Sequence, residues 1–94
     1  IVMGHENCGA VTAALKGGNN GYNINHLLTH ITPAIEALPE GSSVDEVARK
    51  NAELAVADLQ ERSEIIRHAI AVNGLEIIPA FYHLESGQVD FLNK

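Results

Sequence analysis

The sequence predicts an α/β fold of three layers, with helices on both faces of a mainly parallel sheet. Three observations predict it. The opening Ile1-Val2-Met3 is apolar without polar alternation, as in a strand covered on both faces. Four helical segments follow before the next β-rich stretch, so the first strand leads into an α/β crossover, which is right-handed in nearly all known sheets. The order β, α, α, α, α, β, β takes up all 94 residues, so positions 1–94 are read as one domain.

Taken in order, Ile1 to Met3 runs into Gly4-His5-Glu6-Asn7-Cys8-Gly9, a tight turn, and Val11 to Leu15 continues as a helix. Gly17-Gly18-Asn19-Asn20-Gly21 is a loop built of residues that accept positive φ, and it is too short to link two domains. Asn23 or Asn25 is expected to cap a helix reaching about Leu38, with Leu27, Leu28, Ile31, Ile35 and Leu38 on one face. Pro33 should kink that helix or divide it in two. Pro39-Glu40-Gly41 makes a turn, and Ser43-Val44-Asp45-Glu46 is a capping box. The helix it starts should run to about Arg62, burying Val47, Ala48, Ala52, Ala55, Val56 and Leu59. Ser63 caps another helix from Glu64 to Val72, which Asn73-Gly74 ends with a left-handed stop. Glu76 to His83 is β-rich, and Ser86-Gly87 turns it into Gln88 to Leu92 as a hairpin. Pro79, lacking an N–H, belongs at a bulge or an unpaired position.

Composition narrows the possible partners. Six basic against twelve acidic residues give a net charge of −6, and no Lys/Arg run occurs, which argues against nucleic acid and anionic membranes. No apolar run approaches the roughly 18 residues needed to span a bilayer, and no signal-peptide pattern is visible. One Cys permits no internal disulfide, so a reducing cytoplasm is the expected compartment. The first strand needs neighbours on its edges and the chain offers few. Homodimerisation, or a further set of strands, is therefore expected.

The chemistry concentrates in the first turn. His5 and Cys8, three residues apart at the carboxyl end of a strand, can reach one ion, and borderline nitrogen with soft sulfur is a donor pair suited to Zn2+. A tetrahedral site needs at least one further protein ligand, and a lone Cys is otherwise read as an inert buried residue. The helix that follows directs free N–H groups at the same spot. His26 and His30 have metal-clamp spacing, but Leu27 stands where a zincin motif has its glutamate, so both are read as surface residues. His83 is likewise read as a surface residue. Asn51 is read as a satisfied interior amide, and Asp58, Glu61, Arg62 and Glu64 as a solvated face.

With these residues in view, Ile1 to Ala14, carrying Gly-His-x-x-Cys-Gly, resembles the second metal half-site of the β-class carbonic anhydrases. Asn51, Ser63-Glu64-Ile65-Ile66, and Gly74-Leu75-Glu76-Ile77-Ile78 leading into Tyr82 to Val89 resemble that family's closing helices and strands. The resemblance covers nearly the whole chain but only the later part of the family's domain. Upstream, family members carry Cys-x-Asp-x-Arg, which supplies a first zinc thiolate and an Asp–Arg pair. No residue here takes those roles, so no catalytic residue is assigned and the chain is expected to be truncated at its N-terminus.

The resemblance implies a zinc lyase that hydrates CO2 reversibly to bicarbonate, working as a homodimer or higher homo-oligomer. It makes His5 and Cys8 metal ligands. The backbone N–H groups of Gly9 and Ala10 then lie where they could meet an anionic ligand, although Gly9 is equally accounted for if the turn needs it. Two alternatives come from other classes. One is a catalytically inactive carbonic anhydrase-like binding or assembly domain. The other is a thiol enzyme with Cys8 as nucleophile and His5 as base. A Cys-x5-Arg phosphate loop is excluded because Ala14 stands in the arginine's place. These 94 residues by themselves are expected to show little activity.

Overall fold

A computed structural model of the protein describes residues 1–93. The elements are β1 (Val2–His5), α1 (Gly9–Lys16), α2 (Tyr22–Thr29), α3 (Thr32–Glu36), α4 (Val44–Arg62), α5 (Glu64–Asn73), β2 (Pro79–Tyr82) and β3 (Val89–Phe91). The α/β class read from the sequence holds. The sheet has the order β1-β2-β3. β1 and β2 are parallel, with Val2 opposite Pro79 and His5 opposite Tyr82. β3 returns antiparallel to β2, with Ala80 opposite Phe91. Among the described residues the sheet is thus mixed, not mainly parallel, because β2 and β3 are joined by a turn too short for a crossover.

The helices gather on one face. Val11, Leu28, Ile31, Ala34, Val47, Ala48 and Phe81 form the core between α1–α4 and the sheet. The N-terminal part of α4 crosses β1 so closely that a Cβ on Gly4 would lie 2.9 Å from the Ala48 carbonyl oxygen. Glycine is therefore a packing requirement at Gly4. Pleat alternation puts Met3, Ala80 and Phe91 on the other face. Met3 is 53% and Phe91 47% exposed, while Ala80 between them is fully buried. The expectation of cover on both faces is met here on one.

Local chemistry sets most boundaries. Ser43 Oγ accepts from Glu46 N–H at 3.1 Å, and Glu46 Oε1 accepts from Ser43 N–H at 2.9 Å. This is the reciprocal cap foreseen, and α4 runs from it to Arg62. Ser63 caps α5 through Ile66 N–H at 3.2 Å, and Gly74 (φ 70°) closes it. α5 buries no residue, and Ile65 is 84% exposed. Pro33 divides the expected long helix, since it cannot donate to Thr29; it sits in the first turn of α3, where no donor is needed. Neither Asn23 nor Asn25 caps α2: Gly21 (φ 91°) occupies the cap. The Asn25 side chain instead ties the preceding loop, accepting from Asn20 N–H and donating to Asn19 Oδ1.

Both strands at the site differ from expectation. β1 extends to His5 because Gly4 and His5 pair with Phe81 and Tyr82. β2 begins only at Pro79, a first-strand position where a missing N–H is tolerated. No helix among the described residues is long and apolar enough to cross a membrane.

Candidate metal half-site

The site is built where β1 turns into α1. Three residues, Glu6 to Cys8, reverse the chain, and the reversal falls on Asn7, whose φ of 53° is left-handed. Asn adopts that conformation more readily than other non-glycine residues. Contacts from distant segments fix the turn. Glu6 N–H continues the ladder to Tyr82 O at 3.1 Å, and Asn7 N–H donates to Asp45 Oδ1 at 3.2 Å. The Glu6 carboxylate accepts from Glu85 N–H at 3.4 Å.

His5 is exposed, and its Nδ1 lies 2.8 Å from the Glu6 carbonyl oxygen. A carbonyl can only accept, so Nδ1 carries the proton and the Nε2 lone pair is free to bind. Metal-ligating imidazoles are commonly held this way. Cys8 is a half-buried free thiol at the cap of α1, and its side chain caps nothing. Its carbonyl accepts from Thr12 N–H at 3.0 Å and Thr12 Oγ1 at 2.9 Å, which orients the residue and leaves Sγ uncommitted.

Gly9 and Ala10 open α1, whose first N–H groups have no acceptor within the helix. A Cβ on Gly9 would meet nothing within 4 Å, and its backbone is helical. The turn's conformational demand is carried by Asn7, so sterics do not require glycine at Gly9.

The nitrogen and sulfur donors suit zinc at two positions. Among the described residues no group of three or more His, Cys, Asp or Glu could hold a metal. The remaining ligands would have to come from elsewhere.

The other candidates lie apart. His26 and His30 are exposed and meet edge to face at 5.5 Å. His30 and half-buried Asn51 line an open groove of about 510 Å³ between α2–α3 and α4, which includes no residue of the turn. His83 is not the free surface residue expected. It is half-buried, with Nε2 2.7 Å from Asp90 Oδ2 and its ring edge-on to Phe81 at 5.2 Å. Arg49 reaches the same carboxylate oxygen at 3.3 Å and lies 4.2 Å over the Phe81 ring. The His83 hydrogen bond, ahead of Arg49 and Gln88, holds the Asp90 carboxyl below the usual aspartate range. The hairpin register was the available signal, because it puts Asp90 diagonally across from His83 on one face.

The fold and the turn define an α/β protein that gathers an imidazole nitrogen and a thiol at the carboxyl end of a sheet strand. The family model for carbonic anhydrase matches residues 1–89. A carbonic anhydrase of Mycolicibacterium smegmatis is 32% identical over 96 residues, covering 96% of this chain and 47% of that protein. Carbonic anhydrase 2 of Mycobacterium tuberculosis is 33% identical over 94 residues, covering 94% of this chain and 45% of its own length. A solved structure from work on two tetrameric β-carbonic anhydrases of the filamentous ascomycete Sordaria macrospora superposes with a TM-score of 0.84 at 27% identity. It covers 98% of this chain and 50% of the other. The chain belongs to the carbonic anhydrase family, in its β class. It spans about half the length of the curated relatives it matches.

Proposed function

We propose that this chain is the His-x-x-Cys part of a zinc-dependent carbonate dehydratase, which hydrates CO2 reversibly to bicarbonate. One observation carries the reading: the Glu6 carbonyl fixes the His5 tautomer with Nε2 free, one turn away from an uncommitted Cys8 thiol. His5 and Cys8 hold the ion and tune its charge. Bound zinc supplies positive charge and a water acidic enough to serve as nucleophile near neutral pH. The Gly9 and Ala10 N–H groups, at the positive end of α1, favour the anionic product. Residues 1–94 are one partial domain of the parent enzyme, which we place in the cytoplasm. We further propose a homodimer or higher homo-oligomer. The open sheet face with Met3 and Phe91 supports it, as does the tetrameric state of the fungal relatives.

A second reading has its own observation. With no third donor among the described residues, a catalytically inactive carbonic anhydrase-like binding or assembly domain is also consistent. Elemental analysis of the purified chain, with its mass verified, separates the two. Near one zinc per chain, lost in Cys8→Ala, supports the enzyme and directs the work to stopped-flow CO2 hydration. Absence of zinc at saturating supply refutes zinc binding by this chain on its own and favours an inactive domain or a truncated site.

A further inference from the structure

We propose that Asp45 is a positioning residue for the turn that separates His5 from Cys8. Its consequence for metal affinity rests on the zinc reading above; the positioning itself does not.

The turn must reverse the chain within three residues, and it does so through Asn7 in the left-handed region, the one non-glycine residue with positive φ among those described. A left-handed amide at a strand-to-helix turn has no acceptor in the strand ladder or in the following helix. Asn7 N–H is instead taken by Asp45 Oδ1 at 3.2 Å, across 38 positions of sequence. Asp45 is half-buried in the first turn of α4, and that turn is itself held on two sides. The Ser43–Glu46 cap fixes the helix terminus, and the close approach of Gly4 to Ala48 fixes the distance from α4 to β1. Asp45 therefore transmits the position of a rigid helix to the backbone between the two donors. The neighbouring acidic side chain, Glu6, is turned to a different partner, Glu85 N–H, so it does not compete for the Asn7 amide. Because His5 Nδ1 bonds the carbonyl of Glu6, the residue before Asn7, rotation of that peptide moves the acceptor that sets the imidazole tautomer. The same rotation shifts Cys8 on the other side.

The acceptor, more than its charge, does this work, so Asp45→Asn should substitute and Asp45→Ala should not. Asp45 also lies near the positive end of α4, where a carboxylate favours the helix. Glu46→Ala is the control for that role, since it breaks the cap one residue away without touching Asn7. The experiment uses the 94-residue chain, labelled with 15N, and reads Asn7 amide exchange, the His5 ring nitrogens and zinc competition against a chelator. In Asp45→Ala, Asn7 exchange should rise about tenfold and the His5 ring should lose its single tautomer. Zinc affinity should fall by about tenfold or more, the usual effect of removing a group that orients a ligand. Asp45→Asn should stay near wild type in all three. Glu46→Ala should lower the melting temperature, raise Asn7 exchange far less than Asp45→Ala does, and leave the His5 ring in its single tautomer. Unchanged Asn7 exchange in Asp45→Ala overturns the proposal, as does Glu46→Ala reproducing the whole pattern. If no variant binds zinc, the zinc reading fails, while exchange and tautomer still decide the role of Asp45.

Discussion

The glycines of the Gly-His-x-x-Cys-Gly motif look equivalent in sequence, and the structure predicts opposite responses to alanine. At Gly4 an added Cβ would sit 2.9 Å from the Ala48 carbonyl oxygen, 3.4 Å from its carbon and 3.7 Å from its Cβ. The obstructing atom is backbone in the first third of α4, so no rotamer change relieves it. β1 and α4 must part by about 0.5 Å to reach the 3.4 Å at which ordinary contact begins. That loosens the layer holding Val47 and Phe81, both fully buried. Overpacking of this kind costs about 1–3 kcal/mol, and the reduced freedom of the unfolded chain returns up to about 1 kcal/mol. The expected net loss is about 1–2 kcal/mol. In a domain of this size each kcal/mol lowers Tm by roughly 4–8 °C. Gly9→Ala meets no atom within 4 Å on a helical backbone, and alanine is the better helix former by up to about 1 kcal/mol. It should be neutral or slightly stabilising, so any loss of zinc in Gly9→Ala is an effect on the site itself. Urea unfolding followed by circular dichroism compares the two variants. The packing argument is refuted if Gly4→Ala stays within about 0.5 kcal/mol of wild type, the usual range for inconsequential substitutions. It also fails if Gly9→Ala loses as much as Gly4→Ala.

Three more outcomes follow from the same structure. Ser43→Ala removes the acceptor for Glu46 N–H and should cost about 1 kcal/mol in urea unfolding, the usual value of an N-cap. Phe81→Ala empties the largest fully buried side chain and the platform under Arg49, and should cost about 3–5 kcal/mol, measured the same way. Asp90 has its carboxyl lowered chiefly by the His83 hydrogen bond, so its contribution is complete above the ordinary aspartate value. That contribution is lost as pH falls through the lowered value. The gap in urea midpoint between wild type and Asp90→Asn should therefore hold near neutrality and narrow below about pH 4, and His83→Ala should remove most of that narrowing. A gap independent of acid would contradict the assignment.

What could be read from the sequence was what local chemistry decides. The ends of α4 and α5 follow from Ser43, Ser63 and Gly74, whose side chains or φ act within four residues of themselves. Pro33 marked the break between α2 and α3 for the same reason. His5 and Cys8 stood out because one turn fixes both. Misreadings arose where a partner lies beyond that range. Asn25 has the chemistry of a cap, yet Asn19 and the Asn20 amide engage it and Gly21 takes the position. His83 appeared solvated because nothing near it in sequence is acidic except Glu85, whereas register delivers Asp90 and packing delivers Arg49. The bond from Asn7 to Asp45 crosses 38 positions and follows no periodicity.

The unmet needs of this chain converge on β1. Val2 and Glu6 donate to β2, and strand geometry directs the N–H and C=O groups of Met3 and His5 to the opposite edge. That edge has no neighbour among the described residues, since β1 ends the strand order. Met3 on the same strand is half exposed on the face without helices, and His5 at its end is one of the two donors proposed for zinc, where a tetrahedral site needs more. An exposed apolar edge strand invites pairing, and a strand laid parallel beside β1 would cover backbone groups next to His5 while its own carboxyl end came close to the turn. The completing donors and the completing sheet partner are thus wanted in one place. In the proposed enzyme, stability and metal binding should rise together when that place is filled.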